Sequence, residues 1–201
     1  MNVPNGDLLL HAGDLTFRGD ISEISQELKE LGRISKGFKY GCVLVPGNHD
    51  FLAERDPSLM KQMCIDNGIT YLQHERTEIN GLKIFGSGYT PFFHNWALNV
   101  ERGPKLAALW GQIPDDTEIL ITHGPAMGCL DWVVTPNGYE SVGCQDLANR
   151  LPELKSLKLH VFGHLHLSRG TYKNKPYTSI NASICKEDYS PTNLPIIFAL
   201  K

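Results

Sequence analysis

Four times in this chain a short apolar run stops at a glycine beside an oxygen or nitrogen donor. The runs are "LLLHAGD", ending at Asp14; "CVLVPGNHD", presenting Asn48 and His49; "ILITHGP", presenting His123; and "HVFGHLH", presenting His164 and His166. Short apolar runs of this kind fit strands of a sheet covered on both faces, because such strands have no polar face to offer water. Glycine lets the backbone turn tightly where each strand ends. Open α/β sheets place their sites at the carboxyl ends of strands, so four such junctions side by side would gather their donors into one place. Half of the eight histidines sit in these loops, where unplaced histidines would scatter.

Between the runs the apolar period changes to that of a helix. In "DISEISQELKELGRI", Asp20 stands as N-cap with Glu23 three residues on, a capping-box spacing, and Ile21, Ile24, Leu28 and Leu31 fall near helical spacing. "DPSLMKQMCIDNG" offers Asp56 as N-cap, Pro57 in the first turn and Gly68 as a stop. Asn80-Gly81, between "TEI" and "LKIFGSG", signals a two-residue hairpin, so the sheet is not purely parallel. "GPKLAALWGQI" predicts a helix, and "KPYTSINAS" and "LPIIFAL" predict further strands. There is no internal repeat, low-complexity segment or linker, and the expectation is one mixed-sheet α/β domain over residues 1–201.

Composition narrows the partners. A net charge of −3 and a pI near 6.2 give no basic footprint for a nucleic-acid polymer or an anionic membrane. An anionic substrate would instead need locally placed positive charge, such as metal ions. The five cysteines are odd in number, widely spaced and free of Cys-x-x-Cys pairs, so they read as reduced thiols. No signal peptide or bilayer-length apolar run is present in the sequence, which makes the cytoplasm the default expectation. A GxSxG elbow and a Walker A loop are also absent.

His164 and His166, one residue apart, would share a face of an ordinary strand, and they would equally grip a metal ion. The other three junctions decide between these readings. Together the four blocks, in order, resemble the calcineurin-like metallophosphoesterase superfamily, whose motifs read GD, GNHD or GNHE, GH and GHxH. "GDLLLHAGD", "THGPAMGCLD" and "INASICKEDYSPTNLPIIF" are similar to its MPPED-type branch. The resemblance implies a four-layer α/β/β/α sandwich with two divalent metals, commonly manganese or iron and zinc, and hydrolysis of phosphate esters.

Carried over by position, the resemblance makes Asp14 the carboxylate bridging two metals. Asn48, His123 and His164 complete the second site, and His166 faces the first. His49 stays off the metals, steadies the phosphoryl oxygens with Asn48 and protonates the leaving alkoxide. The superfamily opens with an Asp-x-His strand ahead of the GD block, and Asp7 is followed here by Leu8 and Leu9. The expectation is a shortened start, with one ion bound well, the other weakly, and exposed sheet edges that favour homo-oligomers. His11 is a conceivable stand-in ligand, although its odd spacing from Asp14 should aim it at the opposite face of a regular strand. Arg18 and Arg169 lie near the ligand loops, and Trp132 could border the pocket. The expected activity is a phosphodiesterase acting on small nucleotides; the alternative is a nucleotide-binding regulatory protein with one metal and little turnover.

Overall fold

The computed structural model describes residues 3–200. In chain order the elements are β1 (Leu9–His11), α1 (Ile21–Ser35), β2 (Cys42–Leu44), α2 (Leu52–Arg55), α3 (Pro57–Asp66) and β3 (Ile69–Tyr71). There follow β4 (Glu75–Ile79), β5 (Leu82–Ser87), the short β6 (Thr90–Pro91) and β7 (Asn99–Val100), α4 (Pro104–Trp110) and β8 (Ile119–Thr122). The chain continues through β9 (Trp132–Thr135), β10 (Gly138–Ser141), α5 (Gln145–Arg150), β11 (Leu159–Phe162), β12 (Gly170–Asn174) and β13 (Tyr177–Asn181).

Two sheets carry the fold. One has the order β1-β2-β3, all parallel, with Leu9 opposite Cys42 and Cys42 opposite Ile69. The other has the order β12-β13-β11-β8-β5-β4. Its four inner strands run parallel, and each outer strand returns antiparallel from its neighbour. At the β4–β5 turn both Asn80 (φ 51°) and Gly81 (φ 78°) adopt positive φ, as a tight two-residue hairpin requires.

Strand residues divide by parity between cores, because successive side chains point to opposite faces. From β2, Cys42 and Leu44 pack with Ile24 and Leu28 of α1 and Met60 and Cys64 of α3, while Val43 joins Val45 on the other side. From β8, Leu120 packs with Leu106 and Trp110 of α4 and Leu147 of α5, while Ile119 and Ile121 turn toward Val43, Ile84 and Val161. The result is helix, sheet, sheet, helix, the expected four-layer sandwich, with the middle core between the sheets. Truncating one of these fully buried side chains, such as Leu120→Ala, costs about 2–5 kcal/mol.

Two local expectations need correction. Asp20 does precede α1, but its side chain makes no capping bond, and Glu23 accepts from the N–H groups of Phe17 (2.8 Å) and Arg18 (3.1 Å) in place of that of Asp20. The carboxylate therefore ties α1 to the loop after Asp14. "LPIIFAL" forms no strand: Leu194 and Ile197 are 68% and 70% exposed, and a strand requires a ladder partner that propensity cannot supply. By contrast Asp56 caps α3 by accepting from Leu59 N–H, and Gly68 (φ 70°) ends it, as the sequence predicts.

Candidate metal centre

β1, β2, β8 and β11 all discharge at the same edge of the sandwich, and their loops meet around one nitrogen, His123 Nε2. Asn48 Oδ1 lies 2.9 Å from it, Asp14 Oδ2 3.1 Å and His164 Nδ1 3.1 Å. His123 Nδ1 is 2.8 Å from the Ala12 carbonyl. A carbonyl only accepts, so that nitrogen carries a hydrogen, and in the neutral ring Nε2 presents a lone pair. With that ring neutral, four atoms able to offer a lone pair face one point. Two imidazole nitrogens, a carboxylate and an amide oxygen suit zinc, manganese or iron alike. The ligand atoms of Asp14, His123 and His164 lie within 4.8 Å of one another, so the residues present fit a divalent cation.

The electrostatics have the same origin. Burial alone would raise the Asp14 carboxyl, but the histidines around it, His123 first and then His49 and His164, together outweigh burial and hold the group well below the usual carboxylate range. His123 is the counterpart: burial pushes it down, and the Asp14 carboxylate beside it lifts it above the ordinary histidine value. His164 is pushed down to about 3 by burial and by His123, so it stays neutral. Asp14 (φ 54°) and His164 (φ 65°) both hold left-handed backbone, a conformation that costs of order 1–3 kcal/mol outside glycine and persists where the surroundings enforce it.

Steric clearance explains one glycine. A Cβ on Gly47 would meet Asp14 Oδ1 at 2.2 Å, the Asp14 nitrogen at 2.3 Å and His123 Cε1 at 2.6 Å. Only a residue without a side chain lets the GNHD loop pass this close to the GD loop.

The structure brings Asp14, Asn48, His123 and His164 together and leaves His166 outside their cluster. His166 Nδ1 bonds the Lys186 carbonyl at 2.9 Å. His49 stands beside the cluster: its N–H donates to Asp14 Oδ1 (2.9 Å), and its Nδ1–H donates to the Phe17 carbonyl (2.8 Å). The parity expected of His11 does not apply, because β1 ends there and the chain turns at Gly13 (φ 93°) and Asp14. Burial lowers His11 to about 4, Asp14 and His123 both act on its charge, and its Nδ1 accepts from Gly13 N–H at 3.3 Å. Arg169 ties the C-terminal segment through the Leu194 carbonyl, Arg18 is exposed beside Phe17, and the Trp132 carbonyl accepts from Ser168.

Two residues that hold the site went unassigned in the sequence. Asp50, fully buried, accepts from Gly47 N–H (2.8 Å), Leu15 N–H (3.2 Å), Thr16 N–H (3.2 Å) and Thr16 Oγ1 (2.9 Å), joining the GD and GNHD loops. Burial, then the Asp14 charge, raises it to about 6. Its signal was available, since it is the last letter of GNHD. Asn181, also fully buried, donates to the Leu165 carbonyl between the two histidines of GHLH (2.8 Å) and accepts from Ser183 N–H (3.1 Å).

Residues 2–168 match the family of calcineurin-like phosphoesterases. The chain belongs to that family. Among curated relatives, the human metallophosphoesterase domain-containing protein 1 is 35% identical over the whole of this chain, which spans 66% of that protein's length. A UPF0046 protein of Caenorhabditis elegans is 33% identical over 98% of this chain and 69% of its own. These relatives place this calcineurin-like phosphoesterase in the MPPED-type branch. In fold it is similar to the TT1561 protein of Thermus thermophilus, with a TM-score of 0.52 at 17% identity over 88% of this chain and 76% of the other. A second solved structure aligns with a TM-score of 0.61 at 16% identity over 88% and 79%. Among the described residues no helix is long and apolar enough to cross a membrane.

Proposed function

We propose that this chain hydrolyses a phosphoric ester, specifically a phosphodiester of a small nucleotide, using manganese held by Asp14, Asn48, His123 and His164. The observation that carries the reading is the convergence of three lone-pair atoms on His123 Nε2 within 3.1 Å. A bound divalent cation supplies Lewis acidity toward phosphoryl oxygens and acidifies water. The chain's own residues do the rest. The Phe17 carbonyl fixes the His49 hydrogen on Nδ1, so Nε2, when protonated, is the atom that donates to a phosphoryl oxygen and delivers its proton to the departing alkoxide. The Asp14 carboxylate accepts the His49 backbone N–H, which sets the distance between the acid and the cluster. The Ala12 carbonyl fixes His123 in the tautomer that offers Nε2 as a ligand.

The test is hydrolysis of bis-p-nitrophenyl phosphate by the purified chain with manganese and with chelator, beside a His49→Ala variant. Turnover that needs manganese and falls about 10²–10⁴-fold in the variant is expected for loss of a general acid. A second reading keeps a single ion: the described residues gather one candidate cluster, Asp14, His123 and His164, which suits a one-ion, nucleotide-binding regulatory protein. Manganese bound at one equivalent with no turnover supports that reading. A folded chain that binds no metal overturns both.

A further inference from the structure

Three aromatic rings surround the His49 imidazole, and metal binding gives none of them a task. Trp96 packs on it with ring centroids 4.1 Å apart, Phe17 lies at 5.6 Å and Tyr189 at 6.3 Å. Phe17 and Tyr189 meet edge to face at 5.4 Å, and Tyr189 meets His166 in the same manner at 5.2 Å. Rings that only filled core would be closed off, yet Phe17 is 50% and Tyr189 52% exposed. Exposed aromatic surface gains free energy when a ring covers it, and offset or edge-on partners are preferred.

Tyr189 is also held in place against its backbone preference. Its φ of 62° lies in the left-handed region, which bulky residues seldom adopt. The turn that enforces it bonds Tyr189 N–H to the Lys186 carbonyl (2.9 Å) and Lys186 N–H to the Ser190 carbonyl (3.0 Å). The same Lys186 carbonyl takes the His166 Nδ1–H, so the turn carrying Tyr189 is tied to GHLH. Strain of this kind gathers where a side chain must be presented in one direction.

The geometry points to a stacking subsite in which Phe17, Trp96 and Tyr189 receive a planar aromatic ring carried by the phosphoric ester while its phosphoryl group faces His49. The inference rests on the phosphoesterase reading and assigns the residues that would recognise the ring of its ester. A nucleobase and a simple aryl group both offer the required face; an alkyl ester does not.

Two matched pairs of ligands test it by calorimetry on the manganese-loaded chain: phenylphosphonate against methylphosphonate, and adenosine 5′-monophosphate against ribose 5-phosphate. Base stacking on aromatic side chains predicts that the ringed member binds tighter by roughly 5- to 150-fold. In Tyr189→Ala and Phe17→Ala that ratio falls toward one, and Tyr189→Phe retains it. Phe17→Ala keeps the backbone carbonyl that orients His49, so the ratio isolates the ring. A preference in the nucleotide pair alone identifies a base, and a preference in both identifies any aryl group. Equal affinity within both pairs of the wild type, or a ratio that survives both alanine variants, overturns the subsite. Failure of all four ligands and of inorganic phosphate to bind overturns the phosphoesterase reading as well.

Discussion

The closest approach at the centre makes Gly47→Ala a sharp test of how the site is built. A Cβ there would lie 2.3 Å from the Asp14 nitrogen, and Cβ contacts under 3.0 Å essentially do not occur. The GD and GNHD loops must therefore part by at least about 0.7 Å, the difference between those two distances. Backbone cannot rotate aside as a side chain can, so the displacement passes to Asp14 and Asn48, which the Asp50 carboxylate binds to the same pair of loops. Overpacking of this kind costs about 1–3 kcal/mol of stability. Disturbing what supports a metal's ligands typically weakens affinity about 10–100-fold. Gly163→Ala is the control: it sits beside His164, but its nearest contact would be an ordinary 3.8 Å. Manganese affinity by calorimetry and stability by urea unfolding should fall in Gly47→Ala and hold in Gly163→Ala. Wild-type affinity in a folded Gly47→Ala would show that close loop passage does not shape the centre.

Three further outcomes follow from the same geometry. Asp50→Ala leaves three backbone N–H groups and the Thr16 hydroxyl without their acceptor, so urea unfolding should show a loss of about 4 kcal/mol or more, at roughly 1–3 kcal/mol per orphaned group, accompanied by weaker manganese binding. Manganese at a hundred times its Kd should stabilise the chain by about 2.7 kcal/mol, a Tm rise of roughly 5–11 °C for a protein of this size, and an unchanged melting curve would count against the site. His160 is fully buried, shares its Nε2 with Thr122 Oγ1 at 2.8 Å, leaves Nδ1 without a partner, and is pushed by burial to about 3. Its folded value lies below the unfolded one, so the stability it gives is complete above pH 6.5 and is lost as the pH falls toward 3. The loss is about 1.4 kcal/mol per pH unit, or about 2 kcal/mol by pH 5, and His160→Gln should flatten the urea-measured slope across that window by this amount.

Much of the sandwich was legible because its signals are local. The division of Cys42, Val43 and Leu44 between two cores needs only the period of a strand, and Asn80-Gly81 or Asp56-Pro57 fix a turn and a helix start within four residues. Failures occurred where a local rule met a tertiary one. Glu23 has capping-box spacing, yet two loop N–H groups at Phe17 and Arg18 compete for its carboxylate and win it. "LPIIFAL" has strand composition but no strand partner.

The candidate donors Asp14, Asn48, His123 and His164 could be picked out for a different reason: four strand-end junctions repeat one pattern of apolar run, glycine and donor in a fixed order. What aims them was unreadable. His123 is oriented by the carbonyl of Ala12, His49 by that of Phe17 and His166 by that of Lys186, partners 111, 32 and 20 residues away. Every residue has a carbonyl, so the letters at those three positions say nothing about their task. Trp96 is a similar case: its stack on His49 at 4.1 Å depends on how the β6–β7 excursion folds back over the GNHD loop, and the backbone bond from Ala97 N–H to the Asn48 carbonyl (3.1 Å) fixes that return. A sequence can therefore display the donors of a metal centre, while their tautomers, their aim and the rings around them arise from main-chain atoms that any residue could have supplied.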